Sequence, residues 1–159
     1  MHRLKSFAPL LFLTTLTSAP PVSAAPPAWL DAPVAAGEWS YRGDAQDSAA
    51  FFGVRSTPPQ LAIRCDRRNR LIRLDRRLPA PATAPATIGI RTSYGETQRP
   101  AGAIDPAQPL LSARLRATDP TLDEIAFSRG RFMITASGAS PLIVPARPEV
   151  ARVIEDCRG

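Results

Sequence analysis

The residues of this chain that are best suited to chemistry are arginines, and seven of them lie within residues 64–77. In order they are Arg64, Arg67, Arg68, Arg70, Arg73, Arg76 and Arg77. A guanidinium group presents a planar fork of donors that matches carboxylate and phosphate groups. The cluster is therefore a candidate surface for an anion or an acidic protein, and its first five arginines are the predicted binding residues.

A second pair of arginines flanks a glycine in the sequence Ser-Arg-Gly-Arg-Phe. Gly130 can adopt the backbone angles that a sharp corner between a helix and a strand requires. Arg129 and Arg131 are therefore candidate ligands for a carboxylate. In the alternative, which we favour, the segment is a structural corner whose arginines pair with nearby carboxylates. These carboxylates would be Asp119, Asp123 and Glu124.

The abundance of arginine also has a simpler explanation. Lys5 is the only lysine, so the other positive side chains are arginines, and alanine and proline are abundant as well. A GC-rich genome favours these residue types, and runs of charge are commonly solvated faces. A solvated surface therefore competes with a binding surface as the interpretation of the cluster.

The distribution of histidine and lysine excludes several classes of enzyme. His2 and Lys5 are the only residues of their types, and both precede residue 25. Without them a Ser-His-Asp triad, a Cys-His pair, a Ser-Lys dyad, a Schiff base and an imidazole metal site cannot be built. The sequence therefore predicts no catalytic residue, no metal ligand and no cofactor in residues 25–159.

One enzymatic alternative needs only carboxylates and arginines. Glycan hydrolases use two carboxyl groups, and the chain contains two adjacent acidic pairs, Asp123 with Glu124 and Glu155 with Asp156. Adjacent side chains of a helix point in different directions, so neither pair converges by itself. Helix capping and ion pairing explain both pairs better, and a hydrolase is kept as the alternative function.

The first 24 residues have the pattern of a secretory signal peptide. Basic residues lead, an apolar run follows at residues 7–16, and Val22, Ser23 and Ala24 supply small residues at the cleavage position. The apolar run is too short to span a bilayer. We expect cleavage after Ala24, a periplasmic or secreted protein, and no membrane-spanning segment afterwards.

The two cysteines are expected to form a disulfide. Cys65 shares the apolar parity of a predicted strand with Leu61 and Ile63, and Cys157 continues the apolar stripe of a predicted C-terminal helix. Two inward cysteines in an exported domain pair readily. On the chain-entropy model a loop of this length contributes roughly 4 to 5 kcal/mol.

The remaining pattern predicts a small, mostly β domain. Residues 25–37 form a Pro/Ala-rich lead-in whose Trp29 docks on the body, and residues 38–159 form a single β-rich domain. Short alternating segments indicate strands, with a hairpin across residues 61–74 as the clearest one. Asp119 and Pro120 open a short helical turn. We expect an antiparallel sandwich or partly open barrel, closed by an amphipathic helix from Pro148.

Three segments resemble a group of small secreted alphaproteobacterial proteins that share these features. They are LAIRCD at residues 61–66, LDEIAFSRGRF at residues 122–132 and PEVARVIEDCR at residues 148–158. The resemblance carries no activity over. The closing order of short helix, two strands and helix with cysteine is also similar to invasion-associated locus B proteins, at the level of layout alone.

These patterns predict a non-enzymatic envelope protein. Its expected partner is an envelope protein or an anionic lipid or glycan, bound through the arginine-rich hairpin. Nucleic acid is not expected, because the chain carries no recognisable reading motif. A structural accessory subunit of an envelope complex is a further alternative, and the oligomeric state stays open.

Overall fold

A computed structural model describes residues 28–82 and 85–159 of the chain. The predicted signal peptide and the first residues of the lead-in lie outside this described part. The described residues fold into one antiparallel sheet of nine strands with two α-helices. The expectation of a mostly β fold with a short helix and a C-terminal helix is confirmed.

The strands follow one another closely along the chain. They are β1 (Glu38–Gly43), β2 (Asp47–Gly53), β3 (Leu61–Asp66), β4 (Leu71–Arg77), β5 (Ala86–Arg91), β6 (Glu96–Ala103), β7 (Leu110–Arg116), β8 (Arg131–Ala136) and β9 (Ala139–Pro145). The helices are α1 (Pro120–Ala126) and α2 (Pro148–Arg158). Their order in the sheet is β1-β2-β3-β4-β7-β6-β5-β8-β9, so β4 and β7 are neighbours although two strands separate them in sequence.

The sheet is rolled, and its two edges approach each other without closing. The indole Nε1 of Trp39 in β1 donates to the carbonyl of Pro145 in β9 at 2.8 Å. Just before β1, the backbone N–H of Ala35 donates to the carbonyl of Ile143, also at 2.8 Å. No strand ladder joins β1 to β9 in the described residues. Of the two expected architectures, the fold is therefore the partly open barrel.

The predicted hairpin is present as β3 and β4. Leu61, Ile63 and Cys65 are buried on one parity of β3, and Ile72 and Leu74 face them from β4. Alternation of this kind places every second side chain in the core of the barrel. The other parity faces outward, and its side chains form the surface described below.

Helix α2 covers one end of the barrel. Val150, Val153, Ile154 and Cys157 are all buried, as their helical spacing predicts. Cys157 is bonded to Cys65, with their Cα atoms 5.5 Å apart, so the predicted disulfide is confirmed. It ties the helix to β3. Within the described residues, no helix combines the length and hydrophobicity that crossing a bilayer needs.

An arginine helps to hold the opposite end of the hairpin. Arg76 points inward from β4 and is 7 % exposed. Its Nη1 donates to the carbonyls of Gln60 and Arg77, and its Nη2 donates to the carbonyl of Ser140 in β9. Burial lowers the pKa of Arg76. The side chain therefore links two strands from different parts of the rolled sheet.

The sequence pattern did not predict β6. Its residues include no large apolar side chain, and Pro100 and Gly102 weaken a strand assignment. In the structure Pro100 lies opposite Thr87 of β5, while the ladder to β7 is confined to Ala101 and the two residues after it. Pro100 therefore occupies a position where β6 has a ladder on one side only, which is where a strand tolerates proline.

The lead-in packs on the outside of the sheet, as expected for Trp29. This side chain is buried against Met133 of β8 and Ile143 of β9. A short 3₁₀ helix, Ala28–Leu30, presents it to these strands. The lead-in is thus part of the folded body from Ala28 onwards.

Candidate functional site

Four arginines form a row on the outer face of the sheet. Arg42 of β1 lies opposite Ala49 of β2, and Ala49 lies opposite Arg64 of β3. Arg64 lies opposite Arg73 of β4, which in turn lies opposite Arg114 of β7. We call these four residues the arginine row. It crosses five neighbouring strands and brings together residues from distant parts of the chain.

A buried carboxylate lies beneath the middle of the row. The side chain of Asp75 is 1 % exposed, although it is on the outer face. Arg64 Nε lies 2.9 Å from one carboxylate oxygen, and Arg73 Nε lies 2.9 and 3.1 Å from the two oxygens. The hydroxyl of Ser112 in β7 also donates to the carboxylate. Asp75 therefore fixes the orientation of two guanidinium groups.

Both arginines reach Asp75 through Nε. Among the described residues, the terminal nitrogens of Arg64 and Arg73 make no hydrogen bond to protein. The two side chains are 40 % and 37 % exposed, so these nitrogens face solvent. A guanidinium held by Nε offers its terminal fork to a second anion. The row thus contains two oriented and unoccupied forks.

An aromatic ring supports the other half of the row. The guanidinium carbons of Arg42 and Arg64 lie 5.9 and 4.7 Å from the ring centre of Phe51. Phe51 is on the outer face of β2, two residues after Ala49, and lies opposite Ala62 of β3. Cation–π contact of this kind restricts where an arginine side chain can lie.

The row borders an open cavity of about 650 Å³. Its lining includes all four arginines and three carboxylates from the turns at one edge, Asp44, Asp47 and Asp66. Asp47 and Asp66 lie directly opposite each other on β2 and β3. A second cavity of about 660 Å³ adjoins it and shares Arg42, Phe51 and Arg64. The site is therefore a groove with both cationic and anionic walls.

Two of these carboxylates are ionised at neutral pH. Asp44 accepts backbone hydrogen bonds from Asp47 and Gln46, which lower its pKa. Asp66 accepts hydrogen bonds from the backbone and side chain of Asn69, which lower its pKa in the same way. A general acid needs a raised pKa. Neither Asp44 nor Asp66 is suited to donate a proton to a leaving group.

The predicted turn arginines have different surroundings. Arg67 pairs with Asp156 of α2 at 3.0 Å, and Tyr41 donates to the other oxygen of Asp156 at 2.7 Å. Burial opposes ionisation of Asp156, but the Tyr41 hydrogen bond and nearby positive charges leave its pKa lowered. Arg68 and Arg70 are exposed at the turn. Arg67 therefore helps to hold α2 on the sheet, and it does not lie in the row.

The last two arginines of the hairpin bind carbonyl groups. Arg76 faces inward as described above, and Arg77 Nε donates to the carbonyl of Pro59 at 3.1 Å. The expectation that all seven arginines form one surface patch is wrong for Arg76, which is buried. Its inward parity places it in the interior of the barrel.

The Ser-Arg-Gly-Arg-Phe segment is a corner between α1 and β8. Gly130 has a positive φ of 78°, which explains the glycine. Arg131 donates to the carbonyl of Ala32 at 2.7 Å and so holds the lead-in, while Arg129 is exposed. Arg129 and Arg131 therefore do not belong to the arginine row, and neither lines its cavity.

The expected ion pairs of this corner do not form. Asp119 pairs with Arg99 of β6 at 2.8 Å, and Asp123 pairs with Arg158 of α2 at 2.7 Å. Asp119 also accepts the N–H of Thr121 as the cap of α1. The acidic residues near the corner therefore brace the two helices, which corrects the predicted pairing with Arg129 and Arg131.

Sequence reasoning missed Arg42, Arg114 and Asp75 as members of the site. Arg42 and Arg114 do have the outward parity of their strands, which the alternation shows. The sequence contains no signal that places β7 beside β4, because β5 and β6 intervene. Without that pairing, Arg114 and Ser112 cannot be assigned to the neighbourhood of Asp75.

The acidic side chains do not gather into a metal site. In the two described ranges, no group of three or more histidine, cysteine, aspartate or glutamate side chains is arranged to hold a metal ion. Comparison with protein families, with curated proteins and with solved structures finds no match to this chain. The arrangement of the arginine row is thus the basis for assigning a function.

Proposed function

We propose that this protein is a non-enzymatic binding module for an anionic component of the cell envelope, which it binds through the arginine row. The observation that supports this most directly is the pair of guanidinium groups of Arg64 and Arg73. Buried Asp75 orients both of them, and their terminal nitrogens remain open to solvent. Oriented donors lose little conformational freedom on binding, which favours affinity.

The charge balance of the row also supports a bound anion. Arg64, Arg73 and Arg114 lie directly opposite one another on adjacent strands, and like charges in such positions destabilise a sheet. Asp75 compensates two of these charges. Arg114 is exposed and makes no ion pair within the described residues. An anion bound beside Arg114 would pair with this guanidinium.

The proposed location is the periplasm or the outside of the cell. The disulfide between Cys65 and Cys157 supports an oxidising compartment, because such bonds are rare in reducing cytosol. The signal-like first 24 residues support the same location. Secretion of a tagged chain, followed by sequencing of its N-terminus, tests this directly.

The binding test uses two linear polyanions, inorganic polyphosphate and polygalacturonate, with neutral dextran as a control. The variant Arg42→Gln/Arg114→Gln removes two charges of the row, and neither residue touches Asp75, so the fold should persist. Because two arginine–anion contacts are lost, we expect affinity to fall about tenfold. Isothermal titration calorimetry at low and at physiological salt measures this.

The matched control is Arg116→Gln/Arg147→Gln, which removes the same charge from two exposed residues outside the row. It should change affinity less than about twofold. Equal losses in both variants would assign binding to net charge. Absence of binding to either polyanion by the unmodified protein would overturn the proposed function.

The glycan hydrolase alternative gains no comparable support. Its two carboxyl groups must differ in protonation, with one acting as the acid. In the groove, hydrogen bonds lower the pKa of both Asp44 and Asp66. The groove is therefore better suited to hold a charged ligand than to cleave one.

A further inference from the structure

We propose that the anion bound by the arginine row is an acidic glycan, a sugar chain that carries carboxylate groups and free hydroxyls. This inference rests on the proposed function and names its ligand class. It follows from the pairing of two kinds of wall in one groove. The row supplies cationic donors, and the turns at the edge supply carboxylate acceptors.

The carboxylates in the groove make it unsuited to a ligand whose surface is densely negative. Asp44, Asp47 and Asp66 line the same cavity as the arginines. A polyphosphate chain has no donors to offer these carboxylates, and a flat anionic bilayer cannot bring its headgroup hydroxyls into the recess, so each would be repelled by them. A sugar chain has hydroxyl groups that donate to carboxylates, while its own carboxylates accept from arginines.

Asp47 is the residue that distinguishes these ligands. The carboxylates of Asp44 and Asp66 are occupied by hydrogen bonds within their turns. The Asp47 side chain is exposed and makes no hydrogen bond or ion pair among the described residues. It stands opposite Asp66 at the open edge of the cavity. Its oxygens are therefore free to accept from a ligand.

The shape of the groove agrees with a sugar chain. Each cavity, of about 650 and 660 Å³, has the size of a small-molecule site. The two adjoin through Arg42, Phe51 and Arg64, so an extended ligand can occupy both. A flat bilayer cannot enter a recess of this kind. Neighbouring strands are about 4.8 Å apart. A sugar chain lying across them would meet the arginines of β1, β3, β4 and β7 in turn.

The test asks whether one substitution strengthens or weakens binding of each of three probes. They are polygalacturonate, inorganic polyphosphate, and vesicles of phosphatidylglycerol with phosphatidylcholine. Asp47→Ala should weaken binding of polygalacturonate about threefold, because a hydrogen-bond acceptor is lost. It should strengthen any binding of polyphosphate or vesicles about twofold, because a repulsive charge is lost. Asp31→Ala, at an exposed residue of the lead-in, is the matched control and should change neither.

A further arm uses fully methyl-esterified polygalacturonate, which keeps the hydroxyls and loses the charges. We expect binding to disappear with this probe. Binding of polyphosphate or vesicles without binding of polygalacturonate would overturn the glycan inference and leave the proposed anion binding intact. Stronger binding of all three probes by Asp47→Ala would overturn it as well. Binding of none of them would overturn both proposals.

Discussion

Arg73 and Arg76 lie three positions apart on β4, and they have opposite roles. Arg76 faces inward, and its terminal nitrogens donate to three backbone carbonyls. Arg73 faces outward, holds a buried carboxylate through Nε, and leaves its terminal nitrogens free. The same residue type therefore serves the fold on one face of the strand and a candidate site on the other.

The difference between these arginines lies in what remains unsatisfied. The fork of Arg76 is used within the protein, so the residue acts as part of the interior. The fork of Arg73 is oriented but open, which leaves it available to a ligand. A cluster of arginines in a sequence can thus divide into structural and binding residues according to strand parity.

The largest expected effect is on stability, and it concerns the disulfide on the core-facing side of β3. The double variant Cys65→Ala/Cys157→Ala removes the disulfide that ties α2 to β3, which should lower the free energy of unfolding by about 4 kcal/mol. Urea denaturation measures this. Anion affinity should remain within about twofold while the variant is folded, because neither cysteine contributes a charge or a hydrogen bond to the arginine row.

The unmodified protein treated with reductant serves as the control, and its stability should match that of the double variant. If the folded double variant binds the anion more than about twofold more weakly than the unmodified protein, the inner and outer faces of the hairpin are coupled. The separation of structural and binding roles between the two faces would then be wrong.

The next-largest effects are expected for two matched substitutions on β4, one at Arg76 and one at Arg73. Arg76→Met should cost about 2 kcal/mol of stability, because three backbone carbonyls lose a hydrogen bond from the buried guanidinium, and it should leave anion affinity unchanged. Arg73→Met should cost about 1 kcal/mol, since Arg64 and Ser112 still hold Asp75, and it should weaken polygalacturonate binding about fivefold. Denaturation and calorimetry on both variants measure the two quantities.

Arg76→Met should be the less stable of the two variants, and Arg73→Met should be the weaker binder. Arg76→Lys keeps the charge but lacks the planar fork, so its stability should fall between those of Arg76→Met and the unmodified protein. If Arg76→Met weakens anion binding as much as Arg73→Met does, parity does not separate structural from binding arginines.

The smallest expected effect concerns Arg114. Arg114→Gln removes a like charge opposite Arg73, so stability should rise by about 0.3 kcal/mol while affinity for polygalacturonate falls about threefold. Arg116→Gln is the control, because Arg116 is exposed on the same strand but lies opposite Leu71. It should change neither quantity. A loss of stability in Arg114→Gln would mean that the row is structural.

Local periodicity made much of the fold predictable. The parity of Leu61, Ile63 and Cys65 identified the hairpin and the inward cysteine, and the helical spacing up to Cys157 identified α2. Asp119 and Pro120 marked the start of α1 through capping chemistry. These features depend on residues that are close in sequence. The strand β6 was missed, because it has no large apolar side chain and no buried residue, so its residues show no alternating apolar pattern.

The candidate site was less predictable for a related reason. Arg64 and Arg73 are members of it that the cluster itself indicated. Arg42 and Arg114 join them only through the strand order, in which β4 pairs with β7. Arg76 was grouped with them because its neighbours in the sequence are arginines. Its inward position requires carbonyl acceptors from Gln60 and Ser140, which local sequence does not identify.

The contact between Arg76 and Ser140 has a consequence for the order of folding. It joins residues 64 positions apart in the chain. The carbonyls of Gln60 and Arg77 lie in or next to the hairpin, whereas the hydrogen bond to Ser140 can form only after β9 has reached the rolled sheet. Interactions that form late are absent from the transition state and mainly slow unfolding. The hydrogen bond from Arg76 to Ser140 thus contributes to the lifetime of the folded barrel and little to the speed of its formation.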